Sequence, residues 1–202
     1  MQSKDFSGVH VEGHIKIWYP ETGEVAINKR NAIHYENMSI ALAQSIADSG
    51  QGFIYEMAFG NGGTTVDPTG IITYLSPNST GSNASLYNET YSKVVDDQSS
   101  VNSDPTRNYI ETRHVTGTNY TDVFITCLLD YGEPAGQQAF DNSNDNQDSY
   151  VFDELGLKSY SKTGNSLLLT HVVFHPVQKS LNRLIQIDYT VRIQTLTGLA
   201  GV

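Results

Sequence analysis

The sequence predicts a mainly β domain, an antiparallel β-sandwich or barrel-like fold with one packed α-helix and long polar loops. Three observations carry this. Apolar residues recur at every second position along many stretches, the period of a half-buried strand. One segment switches to three- and four-residue steps, the period of an amphipathic helix. Turn-forming residues separate the strands at short intervals, as antiparallel sheets require.

In chain order, Gly13 to Tyr19 and Glu24 to Asn28 flank Pro20-Glu21-Thr22-Gly23, a connection with turn chemistry, and read as a hairpin. Between about Ile33 and Asp48, residues Tyr35, Met38, Ala41, Leu42, Ser45 and Ile46 recur at helical spacing, and Gly50 and Gly52 follow as a stop. The Met38/Leu42/Ile46 stripe is expected to pack on a sheet. Phe53 to Phe59 reads as the next strand, then Tyr109 to Val115 and Asp122 to Leu129 about the turn Thr116-Gly117-Thr118-Asn119. Ser166 to His175 reads as an apolar strand ended by Pro176, which has no N–H for a ladder. The clearest strand is the last, where Ile185, Ile187, Tyr189, Val191 and Ile193 alternate with Gln186, Asp188, Thr190, Arg192 and Gln194.

Two stretches show no period, about 76–106 and 130–149, and are expected as long loop insertions in a single domain spanning 1–202. Leu196 to Val202 is expected as a short C-terminal arm or a frayed end.

Composition narrows the partners. Twelve Lys+Arg against 22 Asp+Glu leave a net charge of −10 in 202 residues, and the densest basic spot is the pair Lys29-Arg30. Phosphate binding depends on basic surface, so no nucleic-acid partner is expected. No apolar run approaches the roughly 20 residues of a membrane helix, and Met1-Gln2-Ser3-Lys4-Asp5 lacks the apolar stretch of a signal peptide. No membrane partner is expected. A single cysteine excludes a disulfide framework within the chain and any multi-Cys metal site.

The search for chemistry yields no catalytic, cofactor-binding or metal residue. His10/His14 and His171/His175 have a chelating spacing for a helix, but in strands it separates two side chains by roughly 13 Å. Asp141, Ser143 and Asp145 alternate as in a calcium loop, yet Asn146 stands where Gly is needed and Phe152 where a bidentate Glu belongs. Phe59-Gly60-Asn61-Gly62-Gly63-Thr64-Thr65 lacks the Lys-Ser/Thr of a phosphate loop and reads as a bend in which Gly and Asn accept positive φ. No Gly-x-Ser-x-Gly elbow occurs, and mid-strand Cys127 reads as a buried thiol. Glu111, Asp130, Glu133, Asp153 and Glu154 could supply a carboxylate pair only if folding brought two of them together. Sequons at Asn37, Asn78, Asn83, Asn88 and Asn119 read as a by-product of an Asn/Ser/Thr-rich composition.

Three patches resemble structural proteins of tailed-bacteriophage particles. They are Gly13–Ile17 through Thr22-Gly23-Glu24-Val25 to Asn31–Met38, then Phe59–Thr65, then Phe152-Asp153-Glu154-Leu155-Gly156-Leu157 with the two strands that follow and the Lys179 between them. Together they cover about half the chain. The resemblance implies a non-catalytic virion subunit of the neck, collar, tail or baseplate, assembled in the host cytoplasm. Its partners would be other virion proteins and further copies of itself in a ring or other symmetric assembly, with no cofactor. The alternatives are a capsid decoration (cement) protein and a host-glycan-binding β-sandwich, for which Trp18, sharing a strand face with His14 and Lys16, is the one indole platform. A glycan hydrolase is the remaining competitor.

Overall fold

A computed structural model of the protein describes residues 6–81, 84–135 and 149–198. In chain order the elements are β1 Phe6–Trp18, β2 Val25–Arg30, β3 Ala32–Ile33, α1 Tyr35–Ile46, β4 Ile54–Gly60, β5 Thr64–Val66 and β6 Ile72–Tyr74. There follow β7 Glu89–Val94, β8 Tyr109–His114, β9 Tyr120–Leu129, β10 Ser149–Ser159, β11 Thr170–Ser180 and β12 Ile185–Gly198.

Two antiparallel five-stranded sheets pack face to face, one in the order β2-β1-β12-β9-β8 and the other β3-β11-β10-β4-β7. This is the β-sandwich that the periodicity predicts, with a single helix among the described residues. Alternation explains the core. Ile15, Ile17, Ile125, Cys127, Leu129, Ile185, Ile187, Tyr189 and Val191 point inward from the first sheet. Met57, Phe59, Phe152, Leu155, Leu157, Val172, Phe174 and Val177 meet them from the second. Phe152 stands edge-on to both Phe59 and Phe174, at ring-centroid distances of 5.5 and 5.7 Å. Each such buried side chain contributes about 1.5–3 kcal/mol.

β1 and β12 pair from Phe6↔Gly198 to Trp18↔Gln186, whereas β9 leaves β12 at Gln194↔Tyr120. Beyond that point β1 and β12 continue as a two-stranded ribbon. The expected C-terminal arm therefore begins as strand, and residues 199–202 lie outside the described residues.

Four expectations are corrected. The helix is shorter than 33–48, with His34 as N-cap accepting from the Asn37 N–H at 3.3 Å. Its stripe buries Met38, with Ala41, and half-buries Leu42, but leaves Ile46 86% exposed. β11 does not stop at Pro176. The register shifts where Phe152 pairs Val177 and Glu154 pairs Val173, so Phe174 to Pro176 form a bulge that needs no proline N–H. The stretch 76–106 is not one loop, because it contains β7, paired to β4 from Glu56↔Val94 to Gly60↔Glu89. β10 was not predicted at all, since Asp153-Glu154 interrupts its apolar pattern. The Asp141–Asp148 run lies outside the described residues.

Candidate functional site

Between β4 and β7 the chain does not leave the domain. It folds over the outer face of the second sheet, where Leu86 packs with Ala58 and Leu168 in a small apolar cluster separate from the main core. The β5–β6 hairpin belongs to this excursion, with Thr64↔Tyr74, Thr65↔Thr73 and Val66↔Ile72 paired. The glycines before it work through close approach. None of Gly60, Gly62 and Gly63 has a positive φ, which corrects the reason expected for them. A Cβ on Gly60 would lie 2.5 Å from both Asn88 O and Glu154 Oε1, and one on Gly62 2.7 Å from Asn88 N.

The groups they approach are two carboxylates at the β10–β11 irregularity. Glu154 is fully buried. Its Oε1 accepts the N–H groups of Gly62 at 3.1 Å and Asn88 at 2.8 Å, and its Oε2 accepts Tyr87 N–H at 2.9 Å and His171 Nε2 at 3.1 Å. A carboxylate offers about four acceptor positions, so all are taken. His171 is equally committed, because its Nδ1 lies 2.8 Å from Asn78 N–H and must accept. The partners thus place the proton on Nε2 and leave the ring neutral. Asp153 accepts Gly63 N–H at 2.8 Å, Thr64 N–H at 2.9 Å and the Thr64 hydroxyl.

The two carboxylates respond oppositely to burial. Desolvation opposes the Glu154 charge, but the donors His171, Asn88, Tyr87 and Gly62 outweigh it and hold the pKa below the usual value. For Asp153 desolvation wins over Thr64 and Gly63, and the pKa is raised, with Glu154 adding to the rise.

A second ionic cluster sits at the other end of β11. Lys179 is fully buried, and its Nζ donates to the carbonyls of Asp130 at 3.0 Å and Ser180 at 2.9 Å. Burial pushes its pKa down to about 8, although Glu133, Asp130 and Glu21 act to raise it. Nearby, Lys93 donates to Leu128 O at 2.8 Å and to the Glu133 carboxylate. Lys93, Arg107, Asn108, Asp104, Asp130 and Glu133 line a polar cavity of about 180 Å³. Arg107 pairs with both Asp104 and Asp130.

Searched against protein families, curated proteins and solved structures, the chain matches none. Its site must be read from its own geometry.

Among the described residues no group of three His, Cys, Asp or Glu converges as metal ligands would. His10 and His14 lie along β1, and His171 and His175 along β11, one to Glu154 and the other to Tyr74 OH at 3.2 Å. Of the five carboxylates considered, Glu111 pairs with Arg113 on the first sheet, Asp130 with Arg107 and Glu133 with Lys93. Two pairs are brought together: Asp130 and Glu133, which line the polar cavity paired with Arg107 and Lys93, and Asp153 and Glu154, which hold backbone. Cys127 is buried, and desolvation lifts its thiol to about 12. Trp18 donates to Asp188 at 2.7 Å, and Lys16 Nζ lies 4.9 Å over its ring. Sequence reasoning missed His171 as the partner of Glu154, and missed Lys93 and Lys179. A signal for the first existed: a charged pair set between Phe152 and Leu155 in an apolar frame.

Proposed function

We propose that the chain is a non-catalytic structural subunit of a tailed-phage particle, in the neck, collar, tail or baseplate region, joined to other virion proteins and to copies of itself. One observation carries this reading. The groups with the composition of an acid–base pair, Glu154 and His171, have every polar position committed to the protein's own backbone or to each other. General acid–base catalysis needs a position within hydrogen-bond reach of a substrate, and here none is left. What the pair does instead is hold a surface excursion in one shape. The resemblance of the three patches supplies the particle, and two of them, Phe59–Thr65 and Phe152–Leu157, meet at this point. No helix among the described residues is long and apolar enough to cross a membrane.

Immunogold labelling of intact particles with antibody to the purified chain tests the reading. Label on the neck or tail supports it, label on the head favours the decoration protein, and absence of label from particles overturns both.

Glycan binding remains the second reading, on one observation. The outer face of the first sheet forms a polar trough of about 390 Å³ lined by His14, Lys16, Tyr109, Phe124, Gln186 and Asp188. It ranks lower because a cation already covers the Phe124 ring: Arg113 lies 4.5 Å from its centroid. Binding on a glycan array would promote it.

A further inference from the structure

Two lysines among the described residues are buried, and they differ in what lies beside them. Around Lys179 the acceptors are backbone carbonyls. Lys93 sits instead with a carboxylate and a side-chain amide, at the polar cavity that it lines with Glu133 and Asn108. A buried ion pair is weak support for stability, so pairing with Glu133 does not by itself account for a lysine in this place.

Lys93 belongs to β7, the edge of the second sheet, yet its Nζ reaches Leu128 O on β9 of the first sheet at 2.8 Å. Asn108 stands one residue before β8, the edge of the first sheet. Its Oδ1 accepts the N–H of the same Leu128 at 2.9 Å. The two side chains together take the place of a paired residue on a neighbouring strand, which would use both the C=O and the N–H of Leu128. Ammonium and amide are thereby set side by side. Both are closed off from water, with Lys93 9% and Asn108 1% exposed. The amide is fixed, because its Nδ2 donates to Asp104 O at 3.0 Å, and Asn102 Nδ2 holds the Asn108 carbonyl at 2.8 Å. Glu133 Oε2 accepts from Lys93 and also from Asp130 N–H at 2.8 Å.

We infer that Lys93 and Asn108 join in a self-formed amide bond, an isopeptide cross-link between the two sheets, with Glu133 moving the protons. Each group has a role that its position supports. Glu133 takes a proton from the ammonium it already holds and frees the amine as a nucleophile. Lys93 Nζ attacks Asn108 Cγ, and the Leu128 N–H that polarises the amide oxygen stabilises the negative charge that builds on it. Glu133 then protonates Nδ2, the Cγ–Nδ2 bond breaks, and ammonia leaves. The new Nζ–Cγ bond replaces the one lost, the surplus proton returns through Glu133 to water, and no electron is gained or lost. Fixed neighbours make the step effectively unimolecular. This deepens the structural reading above and rests on it for its use. The reaction happens once per chain and has no turnover, as suits a building block. β7 and β8 are edge strands of opposite sheets, so the bond clasps the sandwich along one edge and closes the loop from 93 to 108.

Intact-mass spectrometry of the purified full chain, followed by a tryptic digest, tests the bond. The chain is expected to be lighter than its sequence by one ammonia. Trypsin should leave Lys93 uncut and release residues 31–107 joined to 108–113 as one branched species. Asn108→Asp should lose water in place of ammonia and so arrive at the same final mass as the unaltered chain. Glu133→Gln, which keeps the shape and removes the base, should form at least tenfold less bonded chain in the same time, with unchanged circular dichroism. A folded chain at its full sequence mass, with Lys93 cut by trypsin, overturns the inference. So does an ammonia lost elsewhere, as in ring closure at Asn61-Gly62, which leaves the two peptides separate. Neither result touches the structural reading, which particle labelling decides on its own.

Discussion

The molecule buries two sets of charges at two places along β11, and solvates them in opposite ways. At Glu154 an anion is surrounded by N–H donors from segments distant in sequence: Gly62, Tyr87, Asn88 and His171. At Lys179 a cation is held by two carbonyls, one of them from the next residue along the chain. The first set fixes the position of an excursion that would otherwise be held by few apolar contacts. The second joins the end of β9 to the end of β11, where the core strands already hold the geometry. The difference teaches that buried charge here measures how much otherwise unsupported chain must be held, and the energetics should follow.

The largest effect is expected at Glu154. Glu154→Ala leaves four donors without their acceptor, one of them the fully buried His171 ring, and should lower stability by about 3–5 kcal/mol, read from urea unfolding. The same carboxylate has a pH signature. Its folded pKa lies below its unfolded value, so its contribution is complete above about pH 4.3 and lost as pH falls through the folded value. Asp153 runs the other way, since its raised pKa makes protonation favour the folded state.

Next in size comes Gly60→Ala, whose Cβ meets Asn88 O and Glu154 Oε1 at 2.5 Å. Overpacking of this kind costs about 1–3 kcal/mol, and differential scanning calorimetry should show it. Gly117, with nothing near its Cβ but a φ of +89°, separates crowding from backbone strain as a control.

At Lys179 the comparison turns on pH. The folded state gives up this proton at about 8, the unfolded chain at about 10.4. Between those values the unfolded chain binds more protons, so stability should rise with pH from about 8 to 9.5, at up to about 1.4 kcal/mol per unit. Lys179→Met should remove that rise while changing stability at pH 7 by about 1–2 kcal/mol or less, because losing a buried charge offsets the two carbonyls left unpaired. A flat profile in the unaltered chain would show that the ammonium is better solvated than its partners imply.

The smallest effect belongs to the wetted face. Arg192 holds Asp122 through two bonds at 2.7 and 2.8 Å, but its side chain is 36% exposed. Asp122→Ala should lower stability by about 0.2–1 kcal/mol, less in high salt.

Strands with one wet and one dry face were legible in the sequence, β12 most clearly, because alternation is written in residues next to each other. The helix was legible too, but not the exposure of Ile46, since a stripe does not say how far the sheet beneath it extends. β10 was illegible for the reason it matters. Asp153 and Glu154 read as surface residues in sequence, and only the approach of three glycines and His171 from elsewhere makes them interior. The same holds for Lys179, whose acceptors are backbone atoms and carry no side-chain signal. The glycine run is visible in sequence, but its residue types suggest positive φ, whereas space for Asn88 and Glu154 is what it provides.

The Glu154–His171 pair holds the chain around Gly62, Asn78, Tyr87 and Asn88 in shape. Hydrogen–deuterium exchange of the intact chain tests it most directly, read at the amides of Gly62, Asn78, Tyr87 and Asn88. The account predicts slow exchange at all four, and in Glu154→Gln a rise of at least tenfold there while core strands such as β12 stay protected. Unchanged protection of these amides in Glu154→Gln, or exchange that is already fast in the unaltered chain, would contradict it.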